Sequence, residues 1–309
     1  MTDVVRVAAR NTAGRQFRGA LLALLIVVGL LAAPAMSASA QDVEPADIDA
    51  LTLIVGGLDS REPGQPENSD VLILARVDLV NRTVRAISIP RDLYVEIPGF
   101  GYDKITRAYD FGSKADGGRF KGGAATMRAT VEANFGIEVD GVVLTTFDGF
   151  VQIVDALGGV DVVNPYDLYD AEYPTPDYGY KEIFYPAGPL HLNGEQALEF
   201  VRTRHQDGDE GRVMRQQLVI RALLDRARDP EIADRLPKLV HKYRKAVRTD
   251  LSQSERLALA LAAPSFTQEG IEFATLNGLV YPDTAPNGMW IYSGDWSQIP
   301  GYVQSFLFG

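Results

Sequence analysis

The sequence predicts an α/β domain, built as a three-layer α-β-α sandwich around a mixed β-sheet. Short apolar runs with strand character are bounded by turn residues, and segments with helical periodicity lie between them. The two kinds of segment alternate without a regular β-α-β rhythm, which argues against a doubly wound parallel sheet. With 309 residues, of which 46% are hydrophobic, the chain is long enough to form one sizeable core.

Strands are predicted where β-branched and other apolar residues follow one another, at residues 51–55, 71–77, 83–89, 142–146, 160–163, 271–276 and 289–293. Helices are predicted at residues 124–135, 147–157, 195–201, 216–228, 231–247 and 255–263. Residues 78–82 indicate a hairpin turn. The Tyr-, Pro- and Asp-rich section 164–189 has no helical period, which predicts a long loop or an edge hairpin.

The N-terminus predicts export of the protein. Residues 1–18 carry four arginines and one acid, and an uninterrupted run of small and apolar residues follows at 19–33. A basic segment before such a run leaves the body of the protein outside the cytoplasm. Two outcomes stay open, an uncleaved membrane anchor or a signal peptide cleaved after Ala40.

The expected organisation is therefore a basic tail with an export segment (1–40), a polar linker (41–50), a catalytic domain (51–230) and a C-terminal extension that packs on the same domain (231–309). The net charge of −11 and the sequence pI of about 4.8 argue against a nucleic-acid partner. The chain has no cysteine, so thiol chemistry and disulfides are excluded.

One charged stretch, residues 202–216, carries four arginines and three carboxylates. Arg202 and Arg204 point to one side of an extended chain, while Arg212, Arg215 and Gln216 share one face of a helix. Arginines at the start of a helix form a natural site for phosphate or pyrophosphate. Taken alone, however, such a charged run is more typical of a surface salt-bridge network.

Further polar residues lie at predicted strand ends or in glycine-rich turns: Asp59, Arg61, Asp70, Arg91 and Lys104. Two carboxylates and a cluster of arginines have the composition of a Mg²⁺–pyrophosphate site, because Mg²⁺ takes few protein carboxylates and completes its shell with phosphate oxygens and water. The aspartates would also suit turn capping, and Arg91 would suit a local pair with Asp92. His205 is assigned to an exposed or supporting position and not to the role of catalytic base. No P-loop, zinc-binding or nucleophilic-serine motif is present.

Several motifs in order resemble the LytR–CpsA–Psr family. They are VGGLDSR at 55–61, SD at 69–70, SIPRD at 88–92, KITRAY at 104–109, GGV at 158–160, GPLHLNGEQAL at 188–198 and R-x-R…D-x-D…G-R…R-Q at 202–216. The resemblance spans residues 51–228, and several separate motifs in the same order make coincidence an unsatisfactory explanation. Asn68 and Thr106 depart from the family, which often has arginine and asparagine at these positions.

The resemblance implies a cell-wall phosphotransferase that moves a glycopolymer from a polyprenyl pyrophosphate lipid onto a peptidoglycan hydroxyl. It implies Mg²⁺, or Mn²⁺ in its place, held by Asp59 and Asp70, one of which would accept the proton of the hydroxyl. It also implies that the pyrophosphate is bound during catalysis by Arg91, Arg202 and Arg204. Further binding would come from Arg61, Lys104, Arg212 and Gln216. The arginines would be oriented, and the helix capped, by Asp207 and Asp209. Helices at 124–135, 147–157 and 216–224 would wall a lipid tunnel.

The expected partners are the lipid-linked glycan, peptidoglycan and the membrane, and not nucleic acid. Two other functions remain open: hydrolysis of the same pyrophosphate, with water in place of the sugar hydroxyl, and a non-catalytic envelope protein that binds polyprenyl phosphates. A role in transcription is disfavoured by the low pI and the exported body.

Overall fold

The computed structural model of the protein describes residues 47–59, 68–175, 179–229, 247–262, 265–267 and 269–309. Its strands are β1 (Ala50–Asp59), β2 (Asn68–Asp78), β3 (Thr83–Ile89), β4 (Tyr94–Ile97), β5 (Gly101–Lys104), β6 (Gly141–Thr146), β7 (Val160–Asn164), β8 (Leu168–Pro174), β9 (Tyr180–Tyr185), β10 (Gly188–Leu192), β11 (Val247–Thr249), β12 (Ile271–Thr275), β13 (Val280–Thr284) and β14 (Trp290–Gly294). Its helices are α1 (Ala108–Ala115), α2 (Phe120–Phe135), α3 (Phe147–Ala156), α4 (Gly194–Arg202), α5 (Gly208–Arg228), α6 (Gln253–Ala262) and α7 (Ile299–Phe308).

Among the described strands, six form a central sheet in the order β11-β6-β1-β2-β3-β12. β1, β2 and β3 follow one another as an antiparallel meander, whereas β6 lies parallel to β1 and β12 lies parallel to β3. The predicted mixed sheet is thus confirmed. β1 is apolar at positions that point to both sides of the sheet, as expected for a strand covered by helices on both faces.

The two faces of the sheet carry separate hydrophobic cores. Leu53 and Val55 of β1 point to one face and pack with buried residues of α3, α4, α5 and α6. Ile54 and Leu58 point to the other face and pack with α1, α2 and α7. Side-chain direction alternates along a strand, so a single continuous apolar run contributes to both cores. This arrangement is the predicted α-β-α sandwich.

Turn residues explain where several elements end. The Asp78 carboxylate accepts hydrogen bonds from the backbone N–H groups of Val80 (3.0 Å) and Asn81 (2.7 Å), which closes the hairpin between β2 and β3. Gly158 and Gly159 have φ angles of 78° and 86°, and this left-handed backbone stops the chain from continuing α3. Both the hairpin turn and the helix end agree with the prediction from sequence.

The structure differs from the sequence-based prediction in its peripheral strands. Residues 164–189 contain the β8–β9 hairpin, so the hairpin alternative is the correct one. β10, which was not predicted as a separate strand, pairs with β7. β13 was not predicted, because Pro282 and Asp283 interrupt its apolar pattern, and it pairs with β14 as an exposed hairpin.

The described residues beyond 230 supply both outer strands of the central sheet, β11 and β12. The helix predicted over 231–247 lies outside the described residues except for its last position. The export segment at 1–40 also lies outside them, as does most of the linker. Of the helices that the structure describes, none is long and apolar enough to cross a membrane.

Candidate functional site

A cavity of about 440 Å³ lies between one face of the sheet and helices α3, α4 and α5. Its apolar lining comprises Val71, Ile73, Phe147, Phe150, Ile153, Leu198, Val201 and Leu223, together with Tyr173 and Pro174 of β8. Its charged and amide lining comprises Asn68, Arg91, Asp170, Arg202, Arg204, His205, Arg212 and Gln216. The lining also includes Gly56, Gly57, Thr145, Thr146 and Thr203.

Polarity changes along two of the elements that line the cavity, α5 and β2. Lining residues of α5 run from Arg212 and Gln216 near its start to Leu223 further along, and those of β2 run from Asn68 to Ile73. The cationic lining residues therefore lie where strands and helices begin or end, whereas most of the apolar lining residues lie within these elements. Such a cavity suits an amphiphile with an anionic head and a hydrocarbon tail.

The register of the sheet brings the two predicted metal ligands together, because the end of β1 lies beside the start of β2. Asp59 ends β1 and pairs with Asn68, while Leu58 pairs with Ser69 and Gly57 pairs with Val71. Asp70 is therefore the additional residue of a β-bulge, a feature that frequently borders active sites. Because β6 runs parallel to β1 and Thr146 pairs with Leu58, the cavity-lining Thr146 lies at the same edge.

The side chains of Asp59 and Asp70 are outside what the structure describes, and Arg61 lies in the undescribed segment 60–67. Their assignments as metal and pyrophosphate ligands remain predictions. No group of three or more His, Asp or Glu side chains in the described part of the chain is placed to hold a metal ion. The backbone positions of Asp59 and Asp70 nevertheless lie close together beside an arginine-lined cavity. Such positions suit two carboxylates that bind Mg²⁺ together with phosphate oxygens.

Four of the predicted arginines, Arg91, Arg202, Arg204 and Arg212, line the cavity together with Gln216. Asp170 is the one carboxylate among the described lining residues. The cavity therefore carries an excess of positive charge within a protein whose net charge is −11. An anion such as pyrophosphate would be bound there by charge-assisted hydrogen bonds in a partly desolvated setting.

Two aromatic rings hold Arg202 at the cavity. Its Cζ lies 4.1 Å from the centroid of the Phe147 ring and 5.8 Å from that of the Tyr173 ring, and its Nη1 donates to the Tyr173 hydroxyl at 3.3 Å. No carboxylate of a described residue forms an ion pair with Arg202. Stacking on aromatic faces orients a guanidinium without neutralising it. This environment leaves the Arg202 charge available for an anionic ligand.

Arg215 has a different role from the other arginines of the motif. Its side chain is fully buried and donates to the backbone oxygens of Phe200 (2.8 Å) and Thr203 and to the Asp207 carboxylate. Asp207 also accepts from the Tyr166 hydroxyl at 2.7 Å. Arg215 therefore does not line the cavity with Arg212 and Gln216, although the i, i+3, i+4 spacing places the three residues at neighbouring positions on α5.

Asp207 occupies the N-cap position of α5 without a side-chain cap hydrogen bond. Its carboxylate pairs with Arg215 instead. The predicted capping role is therefore wrong for Asp207, whereas its contact with an arginine of the motif is present. The Asp209 side chain lies outside what the structure describes.

Lys104 does not line the cavity in the part of the chain that the structure describes. Its Nζ pairs with Asp92 Oδ1 at 2.7 Å, and Arg91 Nε contacts Asp92 Oδ2 at 3.3 Å, so Asp92 connects the two cations. The local pair of Arg91 with Asp92 suggested by the sequence is thus present, although Arg91 also lines the cavity. The role of Lys104 in pyrophosphate binding stays a prediction.

Residue 106 supports the site through the backbone. Thr106 Oγ1 donates to the carbonyl of Ser69 at 2.9 Å, and its N–H donates to the carbonyl of Arg91 at 3.1 Å. This buried threonine therefore links the start of β2, which carries Asp70, to the turn that carries Arg91. Threonine at position 106, where the family often has asparagine, thus holds these two segments together.

The expected lipid tunnel needs one correction. Helix α2, which covers the predicted 124–135 helix, packs on the opposite face of the sheet through Met127 and Val131. The cavity is walled by α3, α4 and α5 instead. Apolar periodicity identified these helices but not the face of the sheet on which each packs, because both faces need an apolar stripe.

Sequence reasoning missed Phe147, Tyr173 and Asp170, all of which line the cavity. Tyr173 and Asp170 belong to β8, inside the section whose unusual length was the only signal of function. Phe147 begins α3, where an apolar residue is unremarkable. The contacts of these residues arise only when α3, β8 and the 203–207 loop are brought together.

A sequence profile described as the LytR_cpsA_psr family matches residues 32–303. The chain belongs to that family. It is 34% identical over 231 residues to the polyisoprenyl-teichoic acid–peptidoglycan teichoic acid transferase TagV of Bacillus subtilis, a match that covers 73% of this chain and 56% of the relative. The chain thus spans little more than half the length of that relative.

Solved structures of LytR_cpsA_psr relatives share the fold. The crystal structure of B. subtilis TagV matches with a TM-score of 0.66 and 28% identity, covering 85% of this chain and 98% of that one. A structure described as TagT bound to LI-WTA matches with a TM-score of 0.60 and 27% identity, covering 84% of this chain and 91% of that one. Both matches agree with the α/β architecture and the mixed sheet described above.

Removal of the buried guanidinium should destabilise the fold. We expect Arg215→Met to lower the free energy of unfolding by roughly 3 kcal/mol, because it leaves two backbone carbonyls and the Asp207 carboxylate without their donor. Urea denaturation followed by circular dichroism measures this change. Arg226→Met on the same helix removes a half-buried guanidinium that contacts Leu157 O and Asp229, and should cost about 1 kcal/mol. Equal losses for the two variants would contradict the role of Arg215.

Removal of the ring closest to Arg202 should weaken anion binding. We expect Phe147→Leu to raise the Kd for inorganic pyrophosphate about five-fold, in keeping with a cation–π contribution of about 1 kcal/mol. Isothermal titration calorimetry measures the affinity. Phe150→Leu is the matched control, since Phe150 lines the same cavity on the same helix and no guanidinium of a described residue lies over its ring. A Kd unchanged by Phe147→Leu would show that the ring does not set the position of Arg202.

Proposed function

We propose that this protein transfers a glycopolymer from a polyprenyl pyrophosphate carrier onto a hydroxyl of peptidoglycan and joins the two through a phosphodiester. The single observation that carries the proposal is the cavity whose lining combines four arginines with a largely apolar surface. A polyprenyl pyrophosphate has the same division into an anionic head and a hydrocarbon tail. TagV is named as a transferase from a polyisoprenyl-linked teichoic acid to peptidoglycan, which supports the same reaction class.

In this reaction the acceptor oxygen bonds to the phosphorus that carries the glycan. The bond between that phosphorus and the bridging oxygen breaks, and polyprenyl phosphate leaves with the electron pair. Arg91, Arg202, Arg204 and Arg212 would neutralise the non-bridging oxygens and the charge that develops on the leaving group. Phe147 and Tyr173 would keep Arg202 oriented while its charge stays available.

Asp59 and Asp70 would hold Mg²⁺, or Mn²⁺ in its place, on the pyrophosphate. Their adjacent positions at one sheet edge next to the cavity support this assignment. When bound, the ion supplies positive charge that polarises the phosphoryl oxygens. The apolar residues of α3 and α5 would hold the lipid tail and keep water away from the head group.

The reaction is tested by transfer of a lipid-linked glycan to peptidoglycan by the purified protein. We expect Arg202→Met and Asp59→Ala to lower the transfer rate about 100-fold or more. Arg202→Met removes a positive charge that would stabilise the transition state, and Asp59→Ala removes a carboxylate that would hold the metal ion. Arg119→Met is the control, since Arg119 is 76% exposed on the surface and pairs with Asp116. Transfer at the normal rate by either site variant would overturn the site assignment.

The same assay separates the alternatives. Transfer predicts phosphoglycan attached to peptidoglycan when acceptor is present and little release without it. Release of free phosphoglycan at equal yield with and without acceptor would identify a hydrolase. Tight binding of the lipid without any metal-dependent product would identify a non-catalytic carrier.

We also propose that the protein acts outside the cytoplasm, at the membrane that holds its lipid substrate. The support is the basic and apolar N-terminal sequence at residues 1–36. Native mass spectrometry of the protein purified from membranes measures the N-terminus and any co-purified lipid together. An intact residue 1 with bound polyprenyl phosphate is expected for an anchor, and a start at Gln41 for a cleaved signal. A protein recovered entirely from the cytoplasm would contradict the proposal.

A further inference from the structure

His205 and Asp170 form a close pair at the cavity. Nδ1 of His205 lies 2.8 Å from Oδ1 of Asp170. The Asp170 side chain is almost completely buried, at 1% exposure, whereas that of His205 is 54% exposed. Both residues line the cavity, and His205 directly follows Arg202, Thr203 and Arg204 in the chain. The pair therefore combines an accessible imidazole with a carboxylate that is shielded from solvent.

The surroundings of Asp170 determine which ring nitrogen carries a proton. Asp170 accepts hydrogen bonds from Thr203 Oγ1 and from the Glu172 N–H, the latter at 2.9 Å. Burial acts to raise the pKa of the Asp170 carboxyl, but the hydrogen bonds from Thr203, His205 and Glu172 outweigh it and hold the pKa below its usual value. An ionised carboxylate only accepts hydrogen bonds, so Nδ1 of His205 donates. In the neutral ring, Nε2 then carries the lone pair.

A second histidine in the same chain shows that pairing alone does not make such a site. Nδ1 of His191 also lies 2.8 Å from an aspartate, Oδ1 of Asp161. Both side chains of that pair are open to solvent, at 59% and 71% exposure, and they join β10 to β7 away from the cavity lining. The His205 pair differs in its buried carboxylate and its position among the arginines.

We propose that His205 is the catalytic base of the transfer reaction and that Asp170 is its positioning residue. The assignment rests on the proposed function. Nε2 of His205 accepts the proton of the acceptor hydroxyl as its oxygen bonds to phosphorus, the bond to polyprenyl phosphate breaks, and the imidazolium later releases the proton to solvent. Polyprenyl phosphate is a good leaving group that needs no proton, so proton removal from the hydroxyl is the task left for a base.

The charged groups around the ring fit this role. Asp170 contacts the ring from β8, and Arg204 precedes His205 directly in the chain. Arg91, Arg202 and Arg212 line the same cavity. The Asp170 charge stabilises the imidazolium that forms, as the aspartate of a Ser-His-Asp triad does. Asp59 or Asp70, the base implied by the family resemblance, is the competing assignment.

The test compares His205→Ala with His191→Ala in single-turnover transfer of lipid-linked glycan to peptidoglycan. We expect His205→Ala to slow transfer about 100-fold, within the range for loss of a general base, and to leave the Kd for the lipid-linked donor within two-fold. His191→Ala should transfer at the wild-type rate. Since His205 is largely exposed, its removal should leave the folded protein intact, which circular dichroism checks.

Added imidazole gives a readout that a purely structural residue would not move. It should restore part of the rate of His205→Ala and none of the rate of Arg202→Met. The double variant His205→Ala/Asp170→Asn should be no slower than His205→Ala, because Asp170 acts through the ring.

A His205→Ala rate within three-fold of wild type, or a slow variant that imidazole does not rescue, would overturn the assignment of the base while leaving the transfer function in place. A wild-type protein that transfers nothing to peptidoglycan would overturn the proposed function and the base with it.

Discussion

The buried guanidinium of Arg215 is the interaction on which the site depends. A charged group without partners in a protein interior costs several kcal/mol, so the chain around Arg215 must keep the carbonyls of Phe200 and Thr203 and the carboxylate of Asp207 within reach of it. Those three groups belong to the end of α4 and to the loop that enters α5. Arg215 thereby holds the connection that carries Arg202, Arg204 and His205 to the cavity. A buried residue that does not line the cavity thus determines where the functional residues of the motif lie.

The sheet separates the tasks of stability and binding. On one face, α1, α2 and α7 pack with β1 to β3 around side chains such as Tyr109 and Phe135, which are almost completely buried. On the other face, α3, α4 and α5 leave a cavity between them and the sheet. The β8–β9 hairpin lines part of that cavity and contributes Asp170 and Tyr173. The section 164–189, which has no helical period, therefore supplies the contacts to His205 and Arg202 of the 202–216 motif.

The same residue type serves different ends according to its surroundings. Arg202 stacks on Phe147 and Tyr173 and keeps its charge available for an anion. The guanidinium of Arg215, in contrast, donates its hydrogen bonds to groups inside the protein. His205 and His191 make equal contacts with aspartates, yet only the carboxylate paired with His205 is buried. Burial, more than residue identity, separates groups that can act on a ligand from groups that support the fold or face solvent.

The sequence by itself determined the α/β class, the first three strands with the hairpin turn between the second and third, the strand ends that carry Asp59, Asp70 and Arg91, and the arginine motif at 202–216. These features follow from local periodicity, turn residues and motif order, which depend on near neighbours in the chain. Only the tertiary structure decided that α2 packs away from the cavity, that Arg215 is internal, and that Asp170 lies against His205 across 35 positions of the chain. Such contacts join segments whose apolar and charged patterns fit more than one arrangement, so packing of the whole domain selects among them.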